Sequence, residues 1–276
     1  MEKKFRIMKE IPIVQCFDHN YVLPAGVAFQ SLLEHAKSQD VKYLLHVIGT
    51  GLTDGDKDLL RGIVVKFPHA NIFFHEPPKL DLPEYKTRGN LSRDVFYKMS
   101  IPDILPQYDV VIVSDVDVMY ADDIASFRAA IHIDENCYLC GTEDVGYAAW
   151  RGRGILRDVG IPRFFGRYER QMTPDEREKL TLGAGFMLMN SRKCREDGMP
   201  EKWMSFARNN FHRLVLLEQD VMNICCAPAV KVVSSRFMAI AGYEPAYRNL
   251  SDSDRTANPA WDEMFAHPVS NFLPFN

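Results

Sequence analysis

The sequence predicts an α/β domain with a mostly parallel mixed sheet flanked by helices. Three observations predict it. Strand-like and helix-like patterns alternate through the first half, one run is apolar on both faces, and polar residues gather where successive strands should end. The first apolar run covers residues 11–17, and an amphipathic pattern follows at 24–36. A second strand at 41–48 ends in Gly49-Thr50-Gly51. Residues 54–67 read as a helix, with Asp54 at its start and Leu59, Leu60, Ile63 and Val64 at helical spacing. A short strand at 72–75 precedes a proline-rich loop at 76–90, and a helix begins near Arg93. Val110-Val111-Ile112-Val113 is apolar throughout, as a central parallel strand covered on both sides requires. Residues 138–142 and 186–189 are strand-like, and 200–212 and 218–226 are helical. Residues 146–181 and those from 242 onward lack periodicity and read as irregular structure.

Composition fits this class. With 276 residues, 46% hydrophobic and 25% charged, the chain has enough apolar material for one large core and is neither disordered nor coiled coil. A net charge of −4 lacks the basic footprint of a nucleic-acid binder. No apolar run reaches the roughly 20 residues of a membrane span, and no apolar stretch follows the basic start. The expected location is therefore cytoplasmic, with at most loose membrane association. The six cysteines form no disulfide framework. Cys137 and Cys140 make a C-x-x-C without a second pair at zinc spacing, so they read as reduced core thiols, and the adjacent Cys225 and Cys226 carry no chemistry.

Ligands of open α/β sheets bind beyond the carboxyl ends of the strands. There the apolar run at 110–113 gives way to Ser114-Asp115-Val116-Asp117. In extended chain, residues i and i+2 point the same way, so Asp115 and Asp117 set two carboxylates on one side. Two such acids need a cation or donors, and hard oxygens suit Mg²⁺ or Mn²⁺ better than zinc. The first strand also ends in polar residues, Asp18, Asn20 and Tyr21, an acid, an amide and a ring that together can bond and stack a nucleobase. Gly183-Ala184-Gly185 ahead of a strand permits close backbone approach, and Glu218-Gln219-Asp220 opens a helix.

In this order, these segments resemble glycosyltransferase family 8, the retaining nucleotide-sugar transferases that include glycogenin and bacterial lipooligosaccharide galactosyltransferases. The resemblance runs from about residue 13 to 272. It implies a single GT-A-type Rossmann-like domain over 1–276, with a nucleotide-binding half at about 11–120 and a sugar and acceptor half at about 121–276. Asp18, Asn20 and Tyr21 would hold the uracil and ribose of UDP. Phe96-Tyr97-Lys98-Met99-Ser100-Ile101-Pro102 is similar to the family's Tyr-x-Arg-Leu-x-Ile-Pro helix, which puts Lys98 where an Arg reaches the donor and loses its bidentate fork. Asp115, Val116 and Asp117 match the D-x-D that binds manganese and the UDP diphosphate. Asp144 matches an acid on the sugar hydroxyls, and Gly183, Ala184 and Gly185 a Phe-Asn-Ala-Gly donor-sugar segment whose Asn is Gly183 here. Glu218, Gln219 and Asp220 match Asp-Gln-Asp beside the anomeric carbon. The family's closing His, its third metal ligand, falls at Asn271, with His267 four residues upstream; the Lys-Pro-Trp that follows in the family is absent from this sequence.

The resemblance implies transfer of galactose or glucose from a UDP-sugar to a saccharide acceptor with retention, Mn²⁺ or Mg²⁺ acting as Lewis acid, in cell-surface glycan synthesis such as lipopolysaccharide assembly. Gln219 is a poor nucleophile, which favours a front-face route; Glu218 and Asp220 stay open as transient nucleophiles. Trp150, Arg151, Arg153, Phe164, Phe165 and Tyr168 are candidate acceptor contacts. Two rivals remain at this level. A UDP-sugar-binding protein without activity would account for Gly183 and Asn271. A haloacid-dehalogenase-type phosphatase would account for Asp115-Val116-Asp117-Val118, although that motif normally sits on a first strand.

Overall fold

A computed structural model describes residues 9–38, 40–83, 92–144, 147, 166–240, 248–249, 251–253, 263–265 and 270–272. Seven strands form the main sheet: β1 Lys9–Asp18, β2 Val41–Thr50, β3 Ala70–His75, β4 Val110–Ser114, β6 Leu139–Glu143, β7 Leu182–Asn190 and β8 Val230–Val233. Their order is β3-β2-β1-β4-β7-β6-β8. The pairs β3·β2, β2·β1, β1·β4 and β6·β8 are parallel, whereas β7 runs antiparallel to both β4 and β6. A second, three-stranded sheet of β5 Val118–Tyr120, β9 Ala239–Ile240 and β10 Ser270–Phe272 has the order β5-β10-β9.

Alternation along the central strands divides the core. Ile11, Ile13 and Phe17 of β1 join Tyr43, Leu45 and Val47 of β2 under the helices Val22–Glu34 and Asp54–Val64. Val14 and Cys16 face the other way, onto Phe96, Met99, Trp203 and Val221. Thr53 caps the second helix through a reciprocal box with Asp56, which explains why it starts at Asp54. All described cysteines are free; Cys137 and Cys140 are buried with their sulfurs 3.3 Å apart. Among the described residues, no helix is long and apolar enough to cross a membrane.

The apolar run at 110–113 is, as expected, a central strand parallel to β1, and its antiparallel neighbour β7 makes the sheet mixed. Three expectations need correction. The helix starting at Arg93 is a 3₁₀ helix, Arg93–Ser100, which becomes α-helical only over Ile101–Ile104. Gly183-Ala184-Gly185 does not precede its strand; β7 already begins at Leu182. Tyr168, expected on the acceptor face, is fully buried. Trp150, Arg151, Arg153, Phe164, Phe165 and His267 lie outside the described residues.

Candidate active site

The site is assembled where β1, β4 and β7 meet. β1 ends at Asp18, whose Oδ1 accepts the Asn20 backbone N–H at 2.9 Å and caps the single turn His19–Tyr21. Its Oδ2 accepts from Ser92 Oγ at 3.2 Å, tying β1 to the start of the 3₁₀ helix. Burial, followed by the charges of Asp117, Asp18 and Asp115, raises the Tyr21 phenol above its ordinary pKa. Asn20 is exposed at the same corner.

β4 stops where its residues become polar, and the backbone beyond it is fastened on both sides. The Asp115 N–H donates to Gly185 O at 2.8 Å, and Asp115 O accepts from Gln15 Nε2 at 3.1 Å. Val116 turns into the core at 6% exposure, so it offers the cleft only backbone. Asp115 and Asp117 stay partly exposed. Burial and the nearby Asp115 push the Asp117 carboxyl up to about 7.

The Lys98 ammonium lies beneath this acid pair, 1% exposed. It meets Asp115 Oδ1 at 2.5 Å, Glu218 Oε1 at 2.8 Å and Ala184 O at 3.2 Å, which uses all three of its N–H donors. Burial alone would lower its pKa; Asp115 and Glu218 reverse this and hold it firmly charged. Glu218, buried in turn, has its carboxyl raised by desolvation against the pull of Lys98.

Opposite stands the N-terminus of the helix Glu218–Cys226. Gln219 is fixed at both ends of its amide: Oε1 accepts from Ala184 N at 2.8 Å, and Nε2 donates to Asp144 Oδ2 at 3.2 Å. A Cβ on Gly183 would lie 3.8 Å from Asp144 Oδ2, and one on Gly185 would stand 3.3 Å from Asp115 Oδ2 and collide with Met238. At Gly183 that is ordinary contact, whereas at Gly185 the end of the Met238 side chain would have to shift, so the missing Cβ there leaves space beside Asp115. Asp220 is fully buried and accepts four hydrogen bonds, from Tyr147 (2.9 Å), Tyr168 (2.7 Å), Val215 N (2.6 Å) and Leu216 N (2.8 Å). These bonds fasten the turn at Leu217, a non-glycine residue at φ 50°, and so aim Glu218 and Gln219.

Asp115, Asp117, Lys98, Glu218, Gln219, Asp144 and the β7 glycines thus come together, with Asp18 and Tyr21 alongside. Asn271 enters by its backbone in β10, paired with Met119 of β5 and Ala239 of β9. Sequence reasoning missed Asn223, which receives Thr181 N and Leu182 N on Oδ1 and donates to Leu182 O and Gln219 O, pinning the helix to β7. It also missed the buried Asp94, which holds Thr50 at the end of β2. A polar residue among helical apolar ones was the available signal for Asn223; nothing local marked Asp94.

A family model described as glycosyl transferase family 8 matches residues 12–260. The chain belongs to that family. Among solved structures, the family 8 chain resembles the apo form of WbbM, a bifunctional glycosyltransferase, at 17% identity and a TM-score of 0.72, covering 100% of this chain and 47% of that one. It therefore spans about half the length of WbbM. The galactosyltransferase LgtC, solved with donor and acceptor sugar analogs, superposes with a TM-score of 0.65 at 16% identity over 96% of this chain and 87% of its own. Mouse xyloside xylosyltransferase 1 gives 0.62 at 14% identity over 95% and 97%. No curated protein matches by sequence. The family makes this chain a glycosyltransferase, and the three superpositions share its fold.

The donor set suits a hard divalent cation. Two carboxylates leave one strand end, Lys98 is ion-paired with Asp115 and Glu218 rather than with Asp117, and burial together with the neighbouring Asp115 raises the Asp117 carboxyl. Among the described residues, no group of three His, Cys, Asp or Glu side chains is placed to hold a metal.

Proposed function

We propose that this chain moves galactose or glucose from a UDP-sugar to a saccharide hydroxyl with retention of configuration, in cell-surface glycan synthesis. The observation that carries the reading is the junction at Lys98, which joins the acid pair at the end of β4 to Glu218 in a family 8 chain. Asp18, Asn20 and Tyr21 would bind the nucleoside, and Asp115 and Asp117 are the residues that would hold Mn²⁺ or Mg²⁺. When bound, the ion supplies charge stabilisation to the departing UDP. Asp144 and Gln219 orient the sugar, and the β7 glycines admit it close to the backbone.

Retention is what the family resemblance implies, and the route we read for it rests on what each carboxylate is already doing. Asp220 accepts four hydrogen bonds in a closed environment, and Glu218 is ion-paired with Lys98. Gln219 is an amide with both ends engaged. None is a free nucleophile, so the acceptor attacks on the leaving-group face and a UDP oxygen takes its proton. The test is thermal unfolding with UDP, with and without Mn²⁺, followed by NMR of the product anomer from a donor panel. UDP at about 100 times its Kd should stabilise the wild type by roughly 2.7 kcal/mol. Asp117→Ala should abolish the manganese-dependent part. A shift indifferent to both manganese and Asp117, or an inverted product, refutes the reading.

A further inference from the structure

We propose that the cavity beside the helix Arg93–Ser100 binds an anionic saccharide, a sugar carrying a carboxylate or phosphate, as part of the acceptor. The saccharide class rests on the proposed function; the anionic character rests on the cavity itself. Its volume is ≈ 680 Å³, and it is lined by Lys79, Leu80, Asp81, Leu82, Arg93 and Tyr97. That size suits a ligand of one or two sugar rings.

Its charge is unbalanced. Arg93 Nη2 donates to the carbonyls of Leu80 (3.1 Å) and Leu82 (2.8 Å), which hold the guanidinium against the wall, while its buried Nε has no hydrogen-bond partner among the described residues. Neither Arg93 nor Lys79 is ion-paired with a carboxylate among the described residues. Asp81, the acid among the described lining residues, is already taken by Arg208, Nε to Oδ2 at 3.0 Å. Asp94, next in sequence to Arg93, is buried and holds Thr50; Arg93 acts on it only through space, more weakly than burial and Thr50 do. Among the described residues, two cations thus face the space without a direct counter-ion, and a buried N–H left without an acceptor is destabilising. A guanidinium edge pairs with carboxylate or phosphate through two N–H groups, so an anion here would satisfy Nε and charge together.

The remaining lining suits a sugar. Tyr97 is 8% exposed, and its hydroxyl has no hydrogen-bond partner among the described residues. Its ring and the Leu80 and Leu82 side chains provide apolar surface for a pyranose C–H face, and the hydroxyl provides a polar contact. Tyr97 directly precedes Lys98, so the helix that braces the acid pair also carries the wall of this cavity.

The experiment is saturation-transfer NMR and calorimetric titration of the full chain with glucuronate, glucose 6-phosphate and glucose. Variants are Lys79→Ala, Arg93→Gln and Tyr97→Phe, each checked by circular dichroism. Lys79 is exposed, so its replacement leaves a folded variant even where Arg93→Gln does not. We expect at least one anionic sugar to bind ten times more tightly than glucose, and Lys79→Ala and Arg93→Gln each to weaken it at least tenfold. Binding of glucuronate alone identifies a uronic acid; binding of glucose 6-phosphate alone identifies a sugar phosphate. Equal binding of glucose, indifference to Lys79→Ala, or displacement of the sugar by UDP overturns the proposal. UDP binding that depends on Asp117, without anionic-sugar binding, refutes this cavity and leaves the transferase reading standing. The converse result refutes that reading and leaves the anion site.

Discussion

Replacing Lys98 by Met is the most informative perturbation of the site. The methionine nearly preserves volume but removes the only ammonium between Asp115 and Glu218, leaving Glu218 as an uncompensated buried acid. Losing one partner of a buried ion pair costs about 3–5 kcal/mol. For a domain of this size, each kcal/mol shifts Tm by about 2–4 °C, so the variant should melt roughly 6–20 °C lower. The deficit should depend on pH with a definite sign. Without Lys98, the folded pKa of Glu218 rises further above its ordinary 4.5, and a raised folded carboxyl favours folding at low pH and loses that advantage as pH rises. The gap between wild type and variant should therefore widen between pH 5 and pH 8, read by urea titration at each pH. Adding Glu218→Gln should recover at least about 1 kcal/mol, because the stranded charge is gone. A deficit below about 1 kcal/mol that stays flat with pH, with no recovery in the double variant, would refute the charged-bridge account.

Four further outcomes follow from the same physics. Asp117, with its folded pKa near 7 against an ordinary 3.8, should make the ligand-free protein lose stability as pH rises from about 4 to 7; Asp117→Asn should flatten that slope in urea titrations. Manganese–UDP affinity should conversely weaken as pH falls below about 7, because a proton must leave Asp117 first, and calorimetry in buffers of different ionisation enthalpy would count it. Asp220→Ala should cost about 3 kcal/mol or more, since a buried and a part-buried backbone N–H and two tyrosine hydroxyls lose their acceptor; Asp220→Asn should cost distinctly less, and equal losses would deny Asp220 its role in holding the turn. Burial and then His75 lower the His46 pKa to about 4, so stability should fall as pH drops from about 6.5 toward 4, and His46→Gln should shrink that acid sensitivity in circular-dichroism melts.

The long apolar strands were legible because a β-branched run that ends in acids suits a buried strand opening on a cleft and little else. The Asp115–Asp117 strand end and the Glu218 helix were visible for that reason. Short elements were not. β5, β9 and β10 are two or three residues each, too short to show any period, and they exist because they pair with one another. The Arg93–Ser100 segment buries Asp94, Phe96, Tyr97, Lys98 and Met99, nearly every side, so no amphipathic stripe distinguished its helix type. Lys98 shows the sharper limit. A lysine on a helix reads as solvated, and only the partners at 115 and 218, which the fold brings together, reveal its burial. Tyr168 misled for the same reason, since an aromatic in an unpatterned stretch does not disclose an acid fifty-two positions away.

The small sheet has a consequence for how the site is made. Asp117 stands one residue before β5, and β5 is paired by β10, with Met119 opposite Asn271. Closing a loop of roughly 150 residues carries an entropy cost that local turns do not, and contacts so far apart in sequence form late. The seven-stranded sheet contains no residue of β10, so it can consolidate while the backbone around Asp117 is still unclamped. Nucleotide affinity should therefore appear after the bulk of the secondary structure during refolding, and mild denaturant should abolish it before the main sheet unravels.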